Sequence, residues 1–251
     1  MNKLLAMREG GKILGEVRHK LYELTQVGIS PLELELKTRA LIKNLGGELS
    51  FTKVPGYQWA TCINLNHGVV HGIPTSEKPF QSGDVVTVDV GVFYRGYHTD
   101  AAFTKVVGES TPSKDRFLEA GMMGLKNAIA VVKPGNYIGD ISQAMDETIK
   151  SFGYSCTKEL TGHGVGRELH EEPMISNVVL TKREKTPLIV KDQTLAIEII
   201  YVEGQPTLVM ESDRWTISTR DGKIAAVQEE TVQVTADGCS ILTTPSLFQI
   251  M

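Results

Sequence analysis

The sequence predicts an α+β fold: one domain, residues 1–251, built from two similar halves of about 1–110 and 111–251. Three observations lead there. Helical spacing and strand-like runs come in blocks, two helices followed by β-structure, and that order occurs twice. No linker-like or low-complexity stretch separates the blocks. The halves share element order only, with no close sequence repeat between them.

Leu4, Ile13, Val17, Leu21 and Leu24 give residues 3–27 helical spacing, and Gly28 suits a C-terminal cap. Ser30 reads as the N-cap of a second helix, with Pro31 at its first position and Glu33 completing a capping box. That helix runs to about Leu45 and stops at Gly46-Gly47. Strand-like runs follow near 59–65, 69–73, 85–93 and 97–106. In the second half, helices are expected over 113–132 and 138–152, broken apart by Pro134-Gly135. Strands are expected near 155–158, 195–202, 206–210, 215–219 and 229–243.

The formal net charge of −4, with both signs interspersed, gives no reason to expect nucleic acid or an anionic membrane as the main partner. No apolar run approaches the length of a membrane span, and the stretch before Arg8-Glu9 is too short for a signal peptide. Cys62, Cys156 and Cys239 are odd in number and widely spaced, forming neither a disulfide framework nor a CxxC zinc pattern. A cytoplasmic, enzyme-sized protein with reduced thiols is expected.

The chemistry starts at two aspartates. In Val85-Val86-Thr87-Val88-Asp89-Val90-Gly91-Val92, alternation puts Thr87, Asp89 and Gly91 on one strand face and the valines on the other. A tight hairpin through Tyr94-Arg95 is expected to set Asp89 opposite Asp100. Two carboxylates that close on a half-buried sheet repel unless they share a proton or a cation.

Further candidates follow. His163 sits in Thr161-Gly162-His163-Gly164-Val165-Gly166-Arg167, with His170 seven residues on. These glycines do not form a dinucleotide fingerprint, because Arg167 stands where the third would fall, and Met174 breaks any H-E-x-x-H motif. Glycines flanking a histidine let the backbone pack closely so that the imidazole can point into a cleft. Glu198 lies in Leu195-Ala196-Ile197-Glu198-Ile199-Ile200, apolar on both sides, and must be exposed on one face, neutralised or bound to a cation. Glu229 shares a face with Thr231 and Gln233, and Glu230 with Val232 and Val234, so periodicity leaves open which glutamate serves a site.

Asp89, Asp100, His163, Glu198 and one glutamate at 229–230 make a set whose negative charge two divalent cations would cancel. Oxygen-rich ligation with one nitrogen suits Mn²⁺, Fe²⁺, Co²⁺ or Zn²⁺, and a pair of such ions is equipped for hydrolysis.

On these residues the chain resembles the type I, bacterial-like methionine aminopeptidases of peptidase family M24. The matching segments are Cys62-Ile63-Asn64, His71-Gly72-Ile73-Pro74, Gly83 to Val90, Gly96-Tyr97-His98-Thr99-Asp100, Gly162 to Pro173, Asp213-Arg214-Trp215-Thr216 and Glu229-Glu230-Thr231, in the family's order over essentially the whole chain. The resemblance implies the pita-bread fold, with two pseudo-symmetric halves of helices over an antiparallel-rich, curved sheet. It selects Glu229, since the family's bridging glutamate precedes one residue and a threonine. It implies that Asp89 chelates one metal, that His163 and Glu198 bind the other, and that Asp100 and Glu229 bridge the two. His71 and His170 would contact the scissile amide, and Tyr57, Cys62 and Trp215 would lie near the pocket for the first side chain. The implied reaction removes the N-terminal methionine from nascent polypeptides whose second residue is small, by attack of a dimetal-bridged hydroxide with Glu198 as proton shuttle. The implied partners are nascent chains and the ribosome presenting them, for a monomer with no membrane or specific nucleic-acid partner.

An Xaa-Pro dipeptidase and a non-catalytic binding protein on the same fold are the competing expectations. Against the first, prolidases and aminopeptidase P carry an added N-terminal domain, and only one helix pair precedes the first strands here. The step from His170 to Glu198 also leaves no room for the insertion of type II enzymes, and a bacterial-like protein without the zinc-binding extension of eukaryotic type I enzymes is expected. The sequence departs from the family pattern at Ile199, where proline usually follows the glutamate, and at Phe51 and Val54, where bacterial members commonly place cysteine and tyrosine.

Overall fold

A computed structural model describes residues 2–244. α1 (Lys3–Leu24) starts where the Asn2 side chain accepts from the Leu4 N–H at 2.9 Å. It ends at the C-cap Thr25, whose N–H and hydroxyl both bond to the Leu21 carbonyl, so Gly28 (φ +91°) turns the chain beyond the cap instead of forming it. α2 (Pro31–Asn44) has Ser30 as N-cap, accepting from the Glu33 N–H at 3.1 Å. The Glu33 carboxylate pairs with Lys37 at 3.4 Å in place of the expected return bond of a capping box.

β1 (Glu48–Leu49), β2 (Thr61–Leu65), β3 (Gly68–Val70), β4 (Val85–Tyr94) and β5 (Tyr97–Val106) complete the first half. β4 is central to a four-stranded antiparallel sheet, with β5 on one edge and β1 and β2 along the other. Val86, Val88, Val90 and Val92 pack against Leu14, Val17 and Leu21 of α1 and Leu34 and Ile42 of α2. Burial of this face fixes the strand's register, because a one-residue slip would turn Asp89 into the apolar core.

The β4–β5 turn is one residue later than the sequence predicts. Arg95 (φ +49°) and Gly96 (φ +88°) form it, since a type I′ turn needs positive φ at both central positions and glycine supplies the second freely. Asp100 is therefore opposite Gly91, and Asp89 opposite Ala102. The two aspartates are diagonal neighbours on one face, not direct partners as expected.

The second half consists of α3 (Pro112–Ala130), α4 (Ile138–Ser151), β6 (Ser155–Cys156), β7 (Thr161–Gly164), β8 (Glu171–Ser176), β9 (Thr194–Val202), β10 (Leu208–Met210), β11 (Ile217–Thr219), β12 (Ala225–Val234) and β13 (Cys239–Ile241). The order β13-β12-β9-β7-β8, with β6 also on β9, makes a six-stranded sheet, and β10-β11-β3 a small one joining the halves. Phe117, Ile141, Met145 and Ile149 of α3 and α4 pack on Ile197, Ile199, Tyr201 and Val232. The expected strand over 229–243 is two strands broken at 235–238, where Gly238 and Thr235 bond across a turn. Among the described residues, no helix is long and apolar enough to cross a membrane.

Two threonines join the large sheets. Thr231 on β12 donates to the Asp100 carbonyl (2.7 Å) and accepts from the Asp100 N–H (2.9 Å). Thr104 on β5 does the same with Val227, at 2.7 and 3.0 Å. Each hydroxyl replaces a ladder hydrogen-bond pair, so β5 and β12 sit side by side and bring Asp100 level with Glu229. Thr231→Val, which keeps the shape and removes the hydroxyl, is expected to cost roughly 1–3 kcal/mol for each buried backbone group left unpaired. A urea titration monitored by circular dichroism measures the loss.

Candidate metal centre

On β4 and β5, the diagonal neighbours Asp89 and Asp100 face the second sheet. On the second sheet Glu229 of β12 is directly opposite Glu198 of β9, and His163 of β7 opposite Ala196. Positions 196 and 198 share a face, as do 229 and 231, so side chains from five strands converge between the sheets. Ligand atoms of Asp100, His163 and Glu229 all lie within 4.8 Å of one another. His163 Nε2 is 3.7 Å from a Glu198 oxygen.

The question left open at 229–230 has a clear geometric answer. Glu230 points to α1, ion-paired with Arg18 at 2.7 Å and accepting from the Thr243 hydroxyl. Glu229 points inward and is buried, while its backbone carbonyl accepts from Arg18 at 3.1 Å.

The glycines around His163 serve close approach. A Cβ at Gly162 would lie 2.7 Å from the Ala196 carbonyl oxygen, and one at Gly164 would run into the Glu172 carbonyl. Low strand propensity in this glycine-rich run leaves β7 without a strand pattern, and Pro173 does the same for β8.

Burial raises the pKa of all four carboxyl groups. The next contribution is the charge of Asp89 for Asp100 and Glu198, and that of Asp100 for Glu229. Burial, reinforced by His170, lowers His163 to about 4, so its imidazole is neutral at pH 7. Its Nδ1 is 2.9 Å from the Gly164 carbonyl, which can only accept, so Nδ1 carries the proton and Nε2 presents a lone pair to Glu198.

A divalent cation fits this arrangement. Asp89 Oδ1, Asp100 Oδ1 and Glu229 Oε1 are buried without a hydrogen-bond partner, and the His163 lone pair faces another acceptor. Four carboxylates and an imidazole fixed by its second nitrogen form a hard, mostly oxygen donor set that cations would relieve.

His170 and His71 lie at the exposed mouth. The His170 ring is edge-on to His163, with centroids 4.5 Å apart, and partial burial and His170 lower the pKa of His71 (φ +58°). Cys62 is opposite Asp89 in the β2–β4 ladder. Beside it Tyr57 donates to the Thr61 carbonyl at 2.8 Å, with its hydroxyl 3.1 Å from Cys62 Sγ. Phe51, Tyr57, Cys62 and Leu169 form an apolar cluster against which Val54, Trp59 and Trp215 pack, with the Trp215 and Tyr57 rings 5.1 Å apart. An apolar cluster thus adjoins the carboxylates.

Residues 6–236 match the sequence model of metallopeptidase family M24. The chain belongs to this family. It is 37% identical over 243 residues to the methionine aminopeptidase of Aquifex aeolicus, covering 94% of each chain. It is 34% identical to methionine aminopeptidase 1 of Bacillus subtilis, again over 94% of each. The crystal structure of methionine aminopeptidase from Thermotoga maritima superposes with a TM-score of 0.93 at 36% identity, covering 96% of both chains. Prolidase from Pyrococcus furiosus, 24% identical, superposes at 0.74 over 96% of this chain but 63% of its own, and shares the fold. The architecture is the α+β pita-bread fold of these proteins, and family membership implies divalent-metal binding.

At the departures from the family pattern, Ile199 simply continues β9, and its buried side chain fills the space opposite Gly124 of α3. Phe51 and Val54 join the apolar cluster beside Tyr57. The sequence reading assigned no role to Thr231, Thr104 or Glu35. Buried Glu35 of α2 accepts from the N–H groups of Ala60 (2.8 Å) and Thr61 (3.0 Å) and from the Thr61 hydroxyl (2.7 Å), fixing the strand that bears Cys62. Alternation had placed Thr231 on the face of Glu229, but nothing local marks a hydroxyl that bonds across a gap of 131 residues. Glu35 sits in an ordinary amphipathic helix pattern and gives no signal.

Proposed function

We propose that the chain removes the N-terminal methionine from polypeptides whose second residue is small, with two divalent ions held by Asp89, Asp100, His163, Glu198 and Glu229. The observation that carries this reading is the convergence of three partnerless carboxylate oxygens and the His163 lone pair beside an apolar cluster. Relatives that match nearly end to end are named methionine aminopeptidases.

Ions of the Mn²⁺, Fe²⁺, Co²⁺ or Zn²⁺ type, when bound, would supply Lewis-acid activation of water and of the substrate carbonyl. Asp89 would hold one ion and His163 and Glu198 the other, with Asp100 and Glu229 as the ligands the two ions would share. Glu198 would act as the proton shuttle, taking a proton from the attacking water and delivering it to the leaving amine. His71 and His170 stabilise negative charge developing on the scissile amide. Tyr57, Cys62 and Trp215, with Phe51 and Val54, receive the methionine side chain. One catalytic domain performs the reaction, with Asp89 and Asp100 from the half 1–110 and His163, Glu198 and Glu229 from the half 111–251. We place it in the cytoplasm, as a monomer acting on chains emerging from the ribosome; buried free thiols at Cys62 and Cys156 accord with a reducing compartment.

A peptide panel varying the first two residues, assayed with each of the four ions, tests the reading. Cleavage of Met-Gly and Met-Ala peptides, with little turnover when methionine is replaced, is expected. Preference for proline second with indifference to the first residue would instead make the chain an Xaa-Pro dipeptidase. No cleavage with any ion would make it a binding protein.

A further inference from the structure

A cleft of about 280 Å³ opens between β2 and the hairpin of β10 and β11. Asn64 and Gly72 line one side of it, and Glu211, Thr216 and Ser218 the other. Asn64 is 3% exposed, and its side-chain Oδ1 and Nδ2 are both buried without a hydrogen-bond partner. A carboxamide with donor and acceptor both idle is costly to bury unless something entering the cleft completes it. Glycines keep it uncovered: a Cβ at Gly72 would lie 2.6 Å from Oδ1, and one at Gly68 3.4 Å from it. The far wall is held in place by Asp213, which accepts from the Trp215 and Thr216 N–H groups, both at 2.8 Å. On that wall the Glu211 carboxylate has no ion pair or hydrogen bond among the described residues, and no lysine or arginine shares the lining.

The cleft adjoins the residues assigned to the substrate. Asn64 follows Cys62 by two positions on the same face of β2, Gly72 follows His71, and Thr216 follows Trp215. Cys62 is opposite Asp89 and Asn64 opposite Thr87. Asn64 is therefore one two-residue step, about 6.5–7 Å, along the sheet from the level of Asp89. Two residues of extended polypeptide cover the same distance.

We propose that this cleft receives the substrate chain beyond its second residue, with Asn64 bonding the main chain of the third residue and Glu211 favouring lysine or arginine there. The inference rests on the aminopeptidase reading above and gives that site a preference at the third position. A residue presents one main-chain donor and one acceptor, which match the two idle atoms of the Asn64 carboxamide. An unpaired carboxylate on the wall attracts a basic side chain and repels an acidic one.

Steady-state kinetics on the Mn²⁺-loaded enzyme test this with Met-Gly, which ends before the cleft, Met-Gly-Lys-Phe and Met-Gly-Glu-Phe. The parent is expected to show kcat/KM for the lysine peptide roughly tenfold above Met-Gly and about fivefold above the glutamate peptide, chiefly through KM. In Asn64→Leu, which fills the space with apolar atoms, the advantage of the lysine peptide over Met-Gly should fall roughly tenfold. In Glu211→Gln, at a half-buried position on the wall, the preference for lysine over glutamate should disappear. Should Asn64→Leu not fold, Asn64→Ser takes its place with the same expectation. An unchanged peptide-to-Met-Gly ratio at position 64, or an unchanged lysine preference in Glu211→Gln, overturns the proposal. So does an equal loss on all three peptides with a lowered Tm, which marks Asn64 as a structural residue. Cleavage of none of the three by the parent overturns the aminopeptidase reading itself, whereas equal cleavage of all three by the parent overturns this inference alone.

Discussion

Asp100→Asn is expected to abolish hydrolysis of Met-Gly peptides while the protein stays folded. The substitution keeps the side-chain shape and leaves both backbone bonds to Thr231 in place, so the joint between the sheets survives. It removes the carboxylate assigned to both ions, and with it several kcal/mol of transition-state stabilisation. The loss in kcat/KM is expected to be roughly 10³-fold or more. Asp89→Asn is expected to be milder in metal content, retaining the ion at His163 and Glu198. Steady-state kinetics on purified, metal-reconstituted variants, with circular dichroism for folding, makes the comparison. Near-normal turnover by folded Asp100→Asn contradicts the assignment.

Glu229→Gln is expected to inactivate the enzyme in the same way and yet to stabilise its metal-free form. Four buried carboxyl groups with raised pKa values bind protons more tightly folded than unfolded. Their contribution to stability is complete below the ordinary carboxylate pKa and is lost as the pH rises through the raised folded values. The lowered histidines, His71, His98, His163 and His170, act oppositely, but only as the pH falls through the ordinary imidazole range. Above the ordinary imidazole range they are neutral folded and unfolded. There the raised carboxyl groups, together with the raised thiols of Cys62, Cys156 and Cys239, make stability fall with rising pH. Chelated parent protein should therefore lose stability as the pH rises above that range. Removing one of the crowded carboxyl groups should raise its Tm at pH 8 by roughly 3 °C or more. Added Mn²⁺ should reverse the order, stabilising the parent far more than the variant. Thermal melts with chelator and with metal at two pH values decide it. A less stable metal-free variant would show that Glu229 has a compensating partner.

Much of this was legible in the chain, for identifiable reasons. The alternation in 85–92 put Asp89 on the face away from the valines because one face of β4 is buried against helices and the other is not. The buried carboxylate at Glu198 announced itself by its apolar flanks. What failed was local geometry. The 89–100 pairing was displaced by two positions because the turn follows the backbone requirement at Arg95-Gly96, which outweighed the pattern of the flanking strands. β7 shows no strand pattern because Gly162 is selected for close packing on β9 and Gly164 for packing on β8, a tertiary cause, and β8 is obscured by Pro173, which strand interiors disfavour. Thr104, Thr231 and Glu35 were unreadable for the same reason, since their partners lie far off in sequence. Single alternation could not choose between Glu229 and Glu230; the ion pair of Glu230 with Arg18, from a helix some two hundred residues earlier, separates them.

Anomalous scattering from a crystal of the parent protein loaded with Mn²⁺ tests the central assignment most directly. Two peaks are expected between the sheets, one beside Asp89 and the other beside His163 and Glu198, with Asp100 and Glu229 contacting both. In a crystal of Asp100→Asn both peaks should weaken together. An active protein with no peak among these five residues, or with its manganese elsewhere, would contradict the account.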